Sequence, residues 1–160
     1  MQDTLPIHFA PLQGYTEAIY RNAHDAFFGG VDTYYTPFVR LEKGNFRRRD
    51  VRGIEPENNG VTHLIPQLIA SSAEKAVVIL SLFIEKGYQE VDINLGCPFP
   101  LLAKRHNGSG ILPYPEEVKA LLSIVTRYPQ ISFSVKMRLG WEQPDECLAL
   151  APILLSLIHI

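Results

Sequence analysis

The residue whose surroundings could most readily support chemistry is Cys97. Residues 91–98 run Val-Asp-Ile-Asn-Leu-Gly-Cys-Pro. Val91, Ile93 and Leu95 alternate with Asp92 and Asn94, so an extended chain sends its apolar set to one face and its polar pair to the other. Gly96 ends that strand. Cys97 then opens a loop stiffened by Pro98 and Pro100, which runs through Asn107-Gly108-Ser109-Gly110 before apolar residues resume at Ile111. A thiol of ordinary pKa, about 8.5, is protonated at neutral pH yet yields its proton when negative charge develops beside it. A lone cysteine is equally well explained as a small buried filler. Its position, just past the carboxyl end of a strand, is where parallel barrels keep their active sites. Cys147 falls in a predicted helix and reads as structural.

Lys136 and Arg138 form a second constellation, on one face of a predicted strand and opposite Val135, Met137 and Leu139. If that face is the interior of a barrel, the two cations need counter-charges there, because an unpaired buried charge is strongly unfavourable. Asp92 on the neighbouring strand is one candidate partner, and an anionic ligand is the other. The Asn94 amide both donates and accepts, so it suits either a base edge or its own loop. The Asn107-Gly108-Ser109-Gly110 turn lacks the lysine of a phosphate loop, and a G-x-G pattern alone is weak.

The elements that must position these residues alternate. Residues 7–10 form a short apolar strand closed by Pro11, and Thr16 caps a helix that continues through Ala23. Residues 31–39, rich in Val, Thr, Tyr and Phe and interrupted by Pro37, predict a second strand that ends near that proline. Residues 41–59 are polar and basic, and predict an irregular insertion or a short helix that offers no core. A third strand spans 62–69 despite Pro66. The Ser71-Ser72-Ala73-Glu74 stretch caps a helix that Gly87 stops. The strand of Asn94 is the fourth. Pro115-Glu116-Glu117 opens the next helix, a fifth strand spans 132–139, and a last helix begins near Pro144. Strand–helix alternation at this spacing predicts right-handed βαβ units and a parallel sheet.

With 160 residues, 46% of them hydrophobic and 20% charged, the chain has the composition of one globular domain with a real core. Its two cysteines lack zinc-ligand or disulfide-framework spacing, which predicts no metal and fits a reduced, cytoplasmic setting. No apolar run reaches the ~18 residues of a membrane helix, so no membrane partner is expected. The net charge of −2 does not advertise a nucleic-acid binder. Local basic clusters do exist, at Arg47, Arg48, Arg49 and Arg52 and at Lys104-Arg105-His106, and either meet phosphates or remain solvated.

The Asn94-Leu95-Gly96-Cys97-Pro98 motif, the Gly108-Ser109-Gly110 turn and the Val135-Lys136-Met137-Arg138-Leu139-Gly140-Trp141 stretch together resemble the tRNA-dihydrouridine synthases. The resemblance begins at Ala10-Pro11-Leu12-Gln13 and weakens after Trp141. It implies an α/β fold, a flavin-dependent (β/α)8 TIM barrel. A complete barrel needs about 250 residues and at least about 200, so residues 1–160 are expected to hold about the first five β/α units, truncated at the C-terminus. The implied reaction is reduction of the uridine C5=C6 bond in tRNA, with FMN as cofactor, NAD(P)H as reductant and Cys97 as the acid that protonates C5. Pro11, Leu12 and Gln13 then lie against the isoalloxazine ring, with Leu12 where methionine is usual. Gln67 contacts the flavin, and Lys136 sits beside its anionic N1/O2 edge. Asn94 and Arg138 face the uracil, while Lys104 and Arg105 touch tRNA phosphates on a segment that carries the cysteine toward the substrate.

The resemblance places the flavin phosphate grip and a helical tRNA-holding domain beyond residue 160. Two alternatives stand beside it: a flavin barrel acting on free pyrimidines, as dihydroorotate dehydrogenases do, and a catalytically silent partial barrel. The full-length parent is expected to be a monomer. Open strand edges in the isolated chain predict self-association. The apolar run 152–160 lacks a helix stop signal, which reads as truncation, with its last residues departing from the family pattern.

Overall fold

The computed structural model describes residues 5–157. The chain begins with β1 (His8–Phe9), α1 (Ala18–Phe27) and β2 (Thr33–Tyr35), followed by a small antiparallel hairpin, β3 (Leu41–Glu42) and β4 (Asn45–Phe46), and by α2 (Arg48–Ile54). Next come β5 (Leu64–Ile65), β6 (Gln67–Leu68), α3 (Ala73–Glu85) and β7 (Glu90–Leu95). A short α4 (Pro100–Ala103) and a 3-10 turn (Gly108–Ile111) lead to α5 (Pro115–Arg127), β8 (Ser132–Met137) and α6 (Glu146–Leu157).

Two three-stranded parallel sheets carry this order, β1-β2-β5 and β6-β7-β8. Pro66 separates β5 from β6 because it has no N–H to give to a ladder. The neighbour relations continue across it. The Pro66 carbonyl accepts from the Asp92 N–H at 3.0 Å, and Val39 bridges Leu68 in parallel, with Val39 N–H donating to the Gln67 carbonyl at 2.8 Å.

Helix chemistry follows the sequence closely in the second sheet. The Ser72 hydroxyl accepts from the Lys75 N–H at 3.5 Å at the start of α3, and Gly87, with φ +86°, follows its end. Pro115 opens α5 with Glu116 and Glu117 in the first turn, where acidic groups favour the helix dipole. Ile79, Leu80 and Phe83 of α3 and Val118, Leu121 and Leu122 of α5 pack on Val91, Ile93 and Leu95 of β7. Each such apolar side chain contributes about 1.5–3 kcal/mol on burial. The apolar parity of β7 therefore faces the helices. Asp92 and Asn94 take the opposite face and are nonetheless only 3% and 8% exposed.

Several local expectations are corrected. Thr16 does not cap α1, which starts at Ala18 after Glu17; its hydroxyl instead accepts from the Leu12 N–H at 2.9 Å and holds the loop after β1. The strand in residues 31–39 does end near Pro37: its ladder covers Thr33–Tyr35, and beyond the proline only Val39 forms an isolated bridge. Residues 41–59 do contribute to the core, since Ile54 is fully buried against it. In the arginine run, Arg47 is tied to Asp50 by two hydrogen bonds of 2.8 and 2.7 Å and is not freely solvated.

The last helix starts at Glu146 and carries Pro152 internally. Of the apolar run 152–160, residues 158–160 lie outside the described residues. Among the described residues no helix is long and apolar enough to cross a membrane, and no cluster of His, Cys, Asp or Glu could hold a metal ion.

Candidate active site

The carboxyl ends of the parallel strands surround a cleft of about 190 Å³. Pro11, Leu12 and Gln13 enter it from the loop after β1, and Gln67 from β6. Asn94 and Cys97 come from β7 and its loop, and Lys136 and Arg138 from β8 and the residue just past it. Residues far apart in sequence converge because parallel strands bring their carboxyl ends to one side.

A buried polar relay underlies the cleft. The Ser134 hydroxyl donates to Asp92 Oδ1 at 2.7 Å, and Gln67 Nε2 donates to Asp92 Oδ2 at 2.6 Å. Asn94 Nδ2 donates to Gln67 Oε1 at 2.8 Å. Asn94 Oδ1 accepts from the backbone N–H groups of Gly96 and Cys97 at 3.0 and 2.9 Å. The relay also has a backbone support, because the Gln67 N–H donates to the Thr36 hydroxyl at 3.0 Å. Burial pushes the Asp92 carboxyl above its ordinary range, and the bonds from Ser134 and Gln67 and the charge of Lys136 offset only part of that.

Cys97 is gripped from its other side as well. Its carbonyl accepts from both the N–H and the hydroxyl of Ser109, at 3.1 and 3.0 Å. Gly108 makes this contact sterically possible: a Cβ there would lie 2.6 Å from the Cys97 carbonyl oxygen, and its φ is +60°. The Gly108–Ile111 turn is buried and packed on the cysteine, not detached from it.

Lys136 behaves differently. It is exposed, and among the described residues it makes no ion pair or hydrogen bond, so the expected pair with Asp92 is not formed. Asp92 turns to Gln67 and Ser134 instead, whose short polar groups already satisfy both its oxygens. Arg138 is exposed and donates through Nε to the Gly96 carbonyl at 2.7 Å, bracing the turn before Cys97. Lys104 and Arg105 are exposed at the end of α4 and do not line the cleft.

Ser134 and Thr36 are site residues that sequence reasoning missed, while Ser109, already marked in the Gly108-Ser109-Gly110 turn, proves to hold the Cys97 carbonyl. For Ser134 a signal existed, since Ser132, Ser134 and Lys136 share the polar parity of β8. Gln13 offers a test of whether a flat polar ligand fits. Both its amide atoms are buried without a partner, and it stands at the cleft beside Gln67, which has one Nε2 hydrogen left over, and the unpaired Lys136 ammonium. These donors and the apolar wall of Pro11 and Leu12 match a planar ring with acceptor atoms on its edge.

The fold and cleft define a parallel α/β protein whose polar site, with one thiol, sits at the strand ends. The model of the dihydrouridine synthase (Dus) family matches residues 8–156, and the chain belongs to that family. It is 29% identical over 142 residues to the probable tRNA-dihydrouridine synthase 1 of Synechocystis sp., a match covering 85% of this chain and 38% of that protein. It is 31% identical over 88 residues to tRNA-dihydrouridine synthase B of Klebsiella pneumoniae, covering 54% of this chain and 27% of the relative. With the tRNA-dihydrouridine(16) synthase of Haemophilus ducreyi it shares 28% identity over 155 residues, 91% of this chain and 47% of the relative. The chain thus spans less than half the length of these relatives.

Proposed function

We propose that this chain is the cysteine-bearing portion of a tRNA-dihydrouridine synthase, comprising about the first five units of a (β/α)8 barrel. The observation that carries the reading is the convergence of Cys97, Asn94, Gln67, Lys136, Arg138 and the Pro11–Gln13 loop on one strand-end cleft. The reaction is reduction of uridine C5=C6 in tRNA, in the cytoplasm, with FMN and NAD(P)H.

Pro11, Leu12, Gln13, Gln67 and Lys136 would hold the flavin. Bound there and reduced by NAD(P)H, FMN would supply the hydride for C6 of the uracil. Lys136 places a positive charge on the cleft wall, where it favours an electron-rich ligand edge. Cys97 holds the proton that C5 receives as charge develops on that carbon, and Asn94 and the Ser109 bonds keep its backbone still while it does so. Arg138 orients the base, and Lys104 and Arg105, exposed beyond the cleft, meet tRNA phosphates.

A second reading, flavin or RNA contact without turnover, draws on the exposure of Lys136 and Arg138 at the sheet edge. One experiment separates the two. The full-length parent that contains this segment, and the chain alone, are each incubated with FMN, NADPH and tRNA transcribed in vitro, and nucleosides are analysed by mass spectrometry. Dihydrouridine should form with the parent and fall about 100-fold or more with Cys97→Ala, flavin binding being equal in both. Equal product from both variants removes Cys97 from the acid role. Bound flavin without any product supports the second reading.

A further inference from the structure

We propose that Asp92 is the positioning residue for the thiol, acting through Gln67 and Asn94 on the turn that carries Cys97; this deepens the synthase reading and rests on it for the meaning of the thiol. The inference follows from which atoms can donate and which can only accept. The Gly96 and Cys97 N–H groups both point to Asn94 Oδ1, so the Asn94 amide has one permitted orientation, with Nδ2 toward Gln67. Gln67 must answer with Oε1, which turns its Nε2 toward Asp92. That position therefore has to hold an acceptor, and an ionised carboxylate is acceptor only. Ser134 supplies a second donor to the same carboxylate and holds it from β8.

The relay is closed from end to end. Asp92 is 3% exposed, Gln67 0% and Asn94 8%, so water does not readily substitute for a missing member. Its consequence for the cleft is polarity. Asn94 Oδ1 has used both its lone pairs, while Nε2 of Gln67 and Nδ2 of Asn94 each keep one N–H. Together with Lys136 the wall presents mainly donors, and it matches a ligand edge made of carbonyl oxygens or unprotonated ring nitrogens.

The claim predicts a defined pattern among three variants. Asp92→Asn keeps an acceptor oxygen for Gln67 and a donor for the Ser134 hydroxyl. Asp92→Ala removes the acceptor. Gln67→Met cuts the relay in the middle while leaving Asp92 on Ser134. In a Cys147→Ser background, two readouts are taken on the chain alone, without flavin or tRNA: amide hydrogen exchange at Gly96 and Cys97, compared with amides in α5, and the iodoacetamide alkylation rate of Cys97 as a function of pH.

In Asp92→Ala and in Gln67→Met, exchange at Gly96 and Cys97 should rise about tenfold while α5 is unchanged, and alkylation should speed up toward the rate of the urea-unfolded chain. Asp92→Asn should stay within about twofold of the parent in both readouts. If Asp92→Ala does not fold, Gln67→Met carries the test. Unchanged exchange at Gly96 and Cys97 in either folded variant overturns the proposal. So does an Asp92→Asn chain as perturbed as Asp92→Ala, because the effect would then belong to charge and not to the acceptor. Neither readout involves uridine reduction, so failure here leaves the synthase reading standing, and failure of that reading leaves this one testable.

Discussion

The two sides of the cleft are built on different principles. On the β6–β7 side the polar side chains are tied to one another: Asp92, Gln67 and Asn94 are linked by hydrogen bonds, and the Cys97 peptide is bonded through both its N–H and its carbonyl. On β8 the Lys136 ammonium is exposed without a partner among the described residues, and Arg138 uses only its Nε on the Gly96 carbonyl. On the synthase reading proposed above, the difference separates two tasks. A group that must deliver a proton to one carbon gains from a fixed backbone, whereas a cation that meets a ligand keeps its binding capacity only if no internal carboxylate consumes it. Asp92 lies close enough to feel Lys136, yet both its oxygens are engaged elsewhere.

If this contrast is right, perturbing the β7 side should damage folding and perturbing the β8 side should not. The largest effect is expected at Gly108. A valine there meets the Cys97 backbone at 2.6 Å in a left-handed conformation, and we expect a loss of about 3 kcal/mol or more in urea unfolding. Asn94→Ala comes next. It strands two N–H groups and one side of Gln67, for a loss of about 2–3 kcal/mol by the same measurement.

Glu146→Gln tests a third region, the loop after β8. The Glu146 carboxylate accepts from the N–H groups of Trp141, Glu142 and Gln143 at 2.7, 3.0 and 3.0 Å. Burial alone would raise its pKa, and these bonds more than offset that, leaving it below the ordinary range. Its contribution is present above the ordinary carboxylate pKa and is lost as pH falls through the lowered one. The amide variant should cost about 1 kcal/mol at neutral pH, and the difference should shrink in acid. Lys136→Met should change unfolding stability by no more than about 0.5 kcal/mol while weakening flavin binding; a larger stability loss would break the contrast between the two sides.

Asp92 titrates in the opposite sense from Glu146. Its folded pKa is raised from 3.8, so between 3.8 and the raised value the folded state holds a proton that the unfolded chain has released. Stability from this group is present below 3.8 and is lost as pH rises through the raised value. Urea unfolding of the parent and of Asp92→Asn across that interval checks it: the parent should lose stability with rising pH relative to the variant. A parallel pair of profiles would contradict the burial argument.

Much of this site was legible in the chain. Alternation in residues 91–95 separated the apolar face from Asp92 and Asn94, and Gly96 marked where the strand gives way to the thiol. Pairing was the illegible part. Asp92 and Lys136 carry opposite charge on adjacent strands, which invites a salt bridge, but register places Asn94 beside Lys136 and Ser134 beside Asp92. A one-letter sequence does not state register. Residues 41–59 misled for another reason: their polar composition hid Ile54, a single side chain at the end of α2 that reaches the core. Thr16 had the right chemistry for a cap and spent it on Leu12 instead.

Pro66 carries a consequence of a different kind. The ladder on its β6 side includes the six-residue register of β7 with β8, while β1, β2 and β5 meet through pairs of residues. A proline between them is a seam, crossed by the bonds from the Asp92 N–H to the Pro66 carbonyl and from the Val39 N–H to the Gln67 carbonyl. The cleft straddles that seam: Pro11 to Gln13 ride on the side with the shorter ladders, and Cys97, Asn94 and Lys136 on the side with the longer one. A ligand that touches both walls would bridge the seam, and so act as a staple between two halves of a sheet.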